Sequence, residues 1–422
     1  MFIRKTTIAM TMSLLFFTSG NLLAGLASAN YNYINDLVGD RAMGLGGAYA
    51  AMSDDPSGAY YNPAGLAFAF DNQISLSVNT YKGKNIVYKN AVWSNNDYNQ
   101  NISAFYPSFF GVVQTIGKAK FALVFININN EILDQDDRYN NIKIPETGPT
   151  RDVIADTYIN YNNTDNTFLF GLSTGFFLNK KTSLGFSLFA LSRKREQIFN
   201  QMNVIVDDPA AVYTAGDIYI TNKYRTDKFF GMLGKFGIQW MPMNKIAFGL
   251  TVGGGGFFSH YNQTQTLQNG VITSSKGYVS GSALPVEVRA GVAYFPSNKF
   301  LITADVIGDF GTTYYDTEVK NTINGALGAE YYITDIMPVR LGLFTNFANT
   351  PEIVNSKTGQ DMHVDLYGVS TSISLQSRNS SITLSGFYQY GIGKTQIGTD
   401  INKTETTTVQ NYQIALTGTA KY

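Results

Sequence analysis

Few residues in this 422-residue chain are of types that do covalent or metal chemistry, and their spacing works against each candidate reaction. There are two histidines, His260 and His363, and no cysteine, so thiolate and disulfide chemistry are excluded. Hydrolysis at a membrane face needs a Ser-His pair held on strands, and both histidines fall in segments read below as long loops. Asp134-Gln135-Asp136-Asp137 resembles the start of a calcium loop, but Arg138 takes a ligand position and no glycine follows at the sharp turn. Gly44-Leu45-Gly46-Gly47-Ala48 has the glycine density of a dinucleotide fingerprint, with no strand before it and no parallel βαβ unit around it. Gly253 to Gly256 run into Phe257-Phe258 rather than Lys-Ser/Thr, so they form no phosphate loop and are expected to permit a bend at a strand end. The expectation is a protein that is not an enzyme, with no catalytic residue, no cofactor and no metal site.

Composition points to a different kind of work. Charged residues are 15% of the chain, against about 25% in ordinary globular proteins. Mean hydropathy is −0.08, and no apolar run approaches the length of about 20 residues that a spanning helix needs. The chain also carries 27 Tyr, 29 Phe and 40 Gly, a composition suited to strands with a large apolar exterior. Equal counts of 31 basic and 31 acidic residues give no reason to expect nucleic acid as a partner. At the N-terminus, Arg4 and Lys5 precede an apolar core from Ile8 to Phe17, and Ala27-Ser28-Ala29 forms a small-residue cleavage site. Residues 1–29 are therefore expected to be a signal peptide, with cleavage after Ala29 leaving Asn30 as the first mature residue of an exported chain.

From Gln73 onward, runs with apolar side chains at every second position alternate with polar turns, the signature of transmembrane β-strands. Strands are predicted near 73–81, 104–116, 119–130, 166–178, 182–194, 228–241, 245–257, 284–295, 299–309, 322–333, 338–349, 364–377, 381–393 and 410–422. That is fourteen, an even number, so the fold class is all-β: a fourteen-stranded antiparallel transmembrane β-barrel over 73–422. Short links such as Gly117-Lys118, Met243-Asn244 and Ser297-Asn298 alternate strictly with long, Asn- and Tyr-rich ones, such as 82–103, 131–165, 195–227 and 258–283. Outer-membrane barrels keep short turns periplasmic, so a bacterial outer-membrane location with both termini periplasmic is expected.

Residues 30–72 do not alternate, and a barrel of this strand number is too wide for side chains alone to fill, so this segment is expected to be a hatch plugging the lumen. It contains Gly39-Asp40-Arg41-Ala42-Met43-Gly44-Leu45-Gly46-Gly47-Ala48-Tyr49-Ala50, then Asp54-Asp55, then Asn62-Pro63-Ala64. In this pattern the chain resembles the FadL/TodX family of outer-membrane transporters for long-chain fatty acids and other hydrophobic compounds. Leu284-Pro285-Val286-Glu287-Val288-Arg289, Ala304-Asp305, Gly328-Ala329-Glu330-Tyr331 and Pro338-Val339-Arg340-Leu341-Gly342 extend the resemblance over nearly the whole mature chain. The resemblance implies a hatch motif of Gly44, Gly46, Gly47, Asp54, Asp55, Asn62, Pro63 and Ala64, and a monomer that moves apolar molecules by diffusion. Gly39-Asp40-Arg41-Ala42 also resembles the PorV branch of the same superfamily, which serves protein secretion.

Placing each strand's continuous apolar face toward lipid turns Phe109, Val113, Leu123, Phe125, Leu169, Phe189 and Leu191 inward as an apolar wall. It also turns Lys235, Glu287, Arg289, Asp305, Glu330 and Arg340 inward, since a basic group facing mid-membrane lipid costs roughly 2–4 kcal/mol. Two readings of the charges stay open: Arg289, Arg340 or Lys235 receives the carboxylate of an amphiphile, or the charges pair with one another and with Asp40, Arg41, Asp54 and Asp55 to hold the hatch. Pro107, which lacks an amide donor, and Gly111 mark a candidate kink in the second strand where a ligand could leave sideways. Passive transport of long-chain fatty acids or other hydrophobic compounds is the functional expectation, with ligand and outer-membrane lipid as partners. A PorV-like secretion component and an adhesin or general pore are the alternatives.

Overall fold

The computed structural model describes residues 32–70, 72–92, 96–144, 153–206, 218–279, 282–311, 319–354, 357, 360–396 and 404–422. The signal segment and Asn30 lie outside them. The strands are β1 (Asn72–Val92), β2 (Asn96–Ile116), β3 (Ala119–Ile144), β4 (Val153–Asn179), β5 (Thr182–Val206), β6 (Ile218–Met243) and β7 (Ile246–Gln268). There follow β8 (Val271–Val279), β9 (Ser282–Ala283), β10 (Val286–Ser297), β11 (Phe300–Phe310), β12 (Thr322–Thr334), β13 (Met337–Asn346), β14 (Leu366–Gln376), β15 (Ser380–Thr395) and β16 (Glu405–Lys421). β7 pairs in turn with β8, β9 and β10, so these three act as one barrel strand and the barrel has fourteen. β1 pairs with β16 from Gln73↔Lys421 to Tyr88↔Thr407, with one shift between Asn79 and Tyr81, which closes the sheet into a barrel.

Alternation selects this fold. Leu172, Leu341, Leu375 and Ile382 are exposed on the outside, while Arg289, Asp305, Glu330 and Arg340 are buried within. The described residues of the long links 82–103, 131–165, 195–227 and 258–283, expected as loops, are largely strand. β1 and β2 pair as far as Val92↔Asn96, β3 and β4 as far as Ile144↔Val153, and β5 and β6 as far as Val204↔Ile218. At 27 residues, β4 is about 90 Å long, far beyond an apolar band of about 25 Å. A ladder needs only a neighbouring backbone, so strands continue past the band with Asn160, Asn162 and Thr164 facing outward; the apolar pattern marks the band, not the strand ends. His260, expected in a loop, instead lies in β7, buried, with its imidazole against Asp227 at 3.1 Å. β7 turns into β8 through Asn269-Gly270, both with positive φ (46° and 83°), the geometry of a tight hairpin.

One inside-outside assignment is corrected. Leu123 and Phe125 lie on the outer face, Leu123 39% exposed and Phe125 stacked on the exposed Phe168. Both faces of β3 are apolar, so alternation alone does not choose between them. Pairing does: the inward Val113 and Phe109 oppose Ala122 and Ile126, and directly opposed residues share a face. Ala122, Val124 and Ile126 therefore line the lumen.

Candidate functional site

Residues 32–70 fold without strands and pack against the inner wall. α1 (Asp40–Gly44) leads into Gly46 and Gly47, whose φ of 65° and 81° is a left-handed backbone that a side chain disfavours. α2 (Gly58–Tyr61) then runs to Asn62 and a 3₁₀ turn, Pro63–Phe68. Asn62 is fully buried and knots three pieces together. Its Oδ1 accepts from the Ala64 amide at 3.1 Å, capping the 3₁₀ turn, with Pro63 at a position that has no amide to satisfy. Its Nδ2 donates to the Ala50 carbonyl at 2.7 Å and to the β6 carbonyl of Ile238 at 3.1 Å.

The inward charges close on one another and on this segment. Arg340 donates to Glu330 at 2.5 Å and to the Ser372 and Ser374 hydroxyls, and Arg41 donates to the same Glu330 at 2.7 and 3.0 Å. Arg41 also holds Asp54 at 2.9 Å, and the Tyr49 hydroxyl donates to Asp54 and Asp55. Asp305 accepts from the amides of Tyr49 and Ala50, both at 3.0 Å, and lies 3.4 Å from Arg289, which donates to the Gly47 carbonyl. Lys235 pairs with Glu287 at 2.8 Å and lies over the Tyr60 ring. Arg289, Arg340 and Lys235, which on one reading donate to a ligand carboxylate, thus already have protein partners. Burial and the nearby Asp40 charge push the Asp55 carboxyl up to about 6.

The apolar wall meets the hatch as well. Phe109, Val113, Leu169, Phe189 and Leu191 share one buried cluster with Val38, Leu45, Tyr49, Ala59, Tyr61 and Leu66. The sequence reading missed what makes such close packing possible. Gly185, Gly237, Gly249 and Gly342 sit where hatch atoms touch the wall; a Cβ on Gly237 would stand 2.0 Å from Asn62 Oδ1, and one on Gly249 2.0 Å from the Ala50 carbonyl oxygen. Glycine in mid-strand at inward parity is the signal that would have found this seat.

On the other side the wall parts. β2 and β3 pair only from Ile116↔Ala119 to Phe109↔Ile126, although both strands continue. Bulges flank the end of the ladder: one where Ser77 and Val78 oppose Phe109 and Pro107, turning both Ser108 and Phe109 inward, and one between Asn127 and Asn129 in β3. Pro107, the sequence's candidate, lies at this break without an amide to offer, while Gly111 lies below it within the paired stretch. Beyond the break the strands are bridged by side chains, with the Asn101 amide donating to Gln135 at 3.1 Å and Tyr139 to the Asp97 carbonyl at 3.0 Å. Asp36 lies within this region at 2.7 Å from Lys82 of β1, and it accepts from the Tyr106 hydroxyl of β2 at 2.6 Å. Towards the long-loop end, Tyr88, Tyr98, Leu133, Tyr161, Phe199 and Met362 form a second buried apolar cluster.

No family model matches the chain, and no curated protein sequence matches it significantly. Solved structures do. A Pseudomonas aeruginosa FadL homologue is 14% identical with a TM-score of 0.63, covering 92% of this chain and 99% of its own. The P. putida toluene transporter TodX is 12% identical with a TM-score of 0.57, covering 92% and 99%. The Ralstonia pickettii toluene transporter TbuX is 12% identical with a TM-score of 0.58, covering 91% and 98%. The fourteen-stranded antiparallel barrel described above is thus the fold of these FadL- and TodX-type proteins.

Proposed function

We propose that this protein is a bacterial outer-membrane channel passing hydrophobic small molecules, with long-chain fatty acids as its finer substrate class, and with its short turns and both termini periplasmic. The parting of β2 from β3 beside a hatch-filled lumen carries this reading. An open ladder at the rim of the apolar belt offers an apolar molecule a way from lumen to bilayer without crossing water, and the bulges and Pro107 keep the ladder from closing. The buried aromatic cluster around Tyr161 and Phe199 keeps the lumen apolar towards the long-loop end, which suits an apolar molecule more than a hydrated one. Since Arg289 and Arg340 are engaged by Asp305 and Glu330, recognition rests on the apolar tail more than on a charged head. The test is uptake of labelled oleate and of labelled toluene by cells expressing the protein, beside a small sugar. Uptake of an apolar probe above barrel-free cells, without sugar uptake, is expected; sugar uptake alone, or none, contradicts the reading.

A further inference from the structure

At the rim where β1 begins and β16 ends, six short turns join consecutive barrel strands. Gly117-Lys118, Lys180-Lys181, Asn244-Lys245 and Asn298-Lys299 link β2 to β3, β4 to β5, β6 to β7 and β10 to β11, and they hold five exposed lysines and no acid. The carbonyls of Lys181, Lys245 and Lys299 accept from the amides of Met241, Phe295 and Tyr332 in the strand next round, at 2.8, 2.8 and 2.9 Å, so the turns lie side by side. An acid enters only beyond them. It is Asp335, between β12 and β13, well exposed and 3.3 Å from Lys299, and Arg378 follows in the last turn. Lys181 donates to the Pro242 carbonyl, a neutral acceptor, and Lys118, Lys180 and Lys245 lie in no ion pair among the described residues.

These cations stand at a fixed depth. Ile116, Leu178 and Met243 are exposed apolar side chains at the ends of β2, β4 and β6, and in each case a lysine follows two residues later, about 7 Å along the chain. Trp240, stacked on Phe248, and Tyr294 lie just inside the same edge as an aromatic girdle. A lysine past such a girdle carries its ammonium on a flexible apolar stem into the headgroup layer, where phosphate oxygens are the acceptors in reach. Turns this short do not project beyond that layer to a partner further out. We propose that this arc of lysines is a binding surface for anionic phospholipid, taking the phosphodiester headgroups of the periplasmic leaflet. It rests on the orientation in the proposed function, with short turns periplasmic, and not on what the lumen passes. Five like charges along one rim repel one another, and anionic headgroups relieve that repulsion where zwitterionic ones do so only weakly, so the surface selects lipid by net charge.

The native barrel, held in nanodiscs of equal phosphatidylethanolamine and phosphatidylglycerol and then extracted in mild detergent, is expected to keep phosphatidylglycerol at least about threefold over the bath ratio, counted by mass spectrometry. Changing Lys118, Lys180, Lys181, Lys245 and Lys299 together to glutamine is expected to return that ratio to the bath value, as is extraction of the native barrel in about 0.5 M salt. Heat-modifiable mobility reports folding; Lys180→Gln with Lys181→Gln, which keeps three of the five, is expected to give a partial fall and serves if the full set does not fold. A folded native barrel without enrichment, or enrichment that survives these substitutions, overturns the surface. Binding to isolated peptidoglycan through the same lysines, with no lipid enrichment, overturns it too. The chain contains no cysteine, so Asn244→Cys places a single thiol within the arc, expected to stay unlabelled by an impermeant maleimide on intact cells and to react once the outer membrane is opened. Labelling of intact cells overturns the orientation and with it the leaflet named here; a silent thiol with failed enrichment overturns the lipid surface alone and leaves the orientation standing.

Discussion

The two sides of the lumen hold the hatch by different physics. Along β10 to β14 the contacts are ionic and directional: Glu330 is gripped by Arg41 and Arg340, and Asp305 by two hatch amides and Arg289. Along β2 to β5 an apolar cluster gathers Phe109, Val113, Leu169 and Phe189 with Leu66, Ala59 and Tyr61, beside hydroxyl bonds from Ser183 and Ser187 to the Ala64 and Ala59 carbonyls and from Tyr106 to Asp36, and here the ladder opens. Charge pairs in a dry interior tolerate little displacement, whereas apolar contacts are non-directional and persist through a shift. The first side reads as an anchor and the second as the side along which a path can form.

Breaking the anchor gives the largest effect. Glu330→Ala leaves Arg41 and Arg340 without their shared carboxylate and is expected to cost about 3–5 kcal/mol in urea unfolding of the lipid-reconstituted barrel. A cost near zero would mean that the ion pairs do not anchor the hatch. Gly237→Ala drives a methyl into Asn62 and is expected to cost about 1–3 kcal/mol and to raise single-channel conductance as the hatch loses its seat. Asn62→Ala, which removes the cap and two donated bonds, is expected to cost about 1–3 kcal/mol with the same conductance change.

On the open side, Val124→Ala cuts into the buried cluster and is expected to cost more than Leu123→Ala at the lipid face, the two neighbours together testing the corrected orientation of β3. The smallest effect is one of pH. Because the folded Asp55 carboxyl titrates near 6, above its ordinary value of 3.8, the folded state holds its proton more tightly than the unfolded state does. Stability from this group is full below about pH 4 and is lost as pH rises through about 6. Asp55→Asn is expected to flatten the thermal midpoint over that range; an unchanged slope would assign the titration elsewhere.

Much of this was legible in the sequence, for identifiable reasons. Apolar alternation marks the belt because lipid leaves no choice of outward residue, and the Asn62-Pro63-Ala64 motif is readable because its cap and its amide-free proline act locally. β3 misled because Phe121, Leu123 and Phe125 on one face and Ala122, Val124 and Ile126 on the other are equally apolar, so only pairing to β2 decides. Strand extension beyond the belt is invisible to hydropathy, since Asn160 and Asn200 satisfy a ladder as well as valine does. The Asp36–Lys82–Tyr106 contact joins residues far apart in the chain, and nothing in their local sequence announces it.

The account turns on the parting between β2 and β3 as the exit for an apolar molecule. Ser108 and Asn127, both buried, flank the last pair Phe109↔Ile126 on the side where the strands part. Replacing both with cysteine and bridging them with a reducible bifunctional thiol reagent would close the gap. Uptake of labelled apolar probe is expected to stop on bridging and return on reduction; uptake that continues undiminished through a bridged wall would contradict the account.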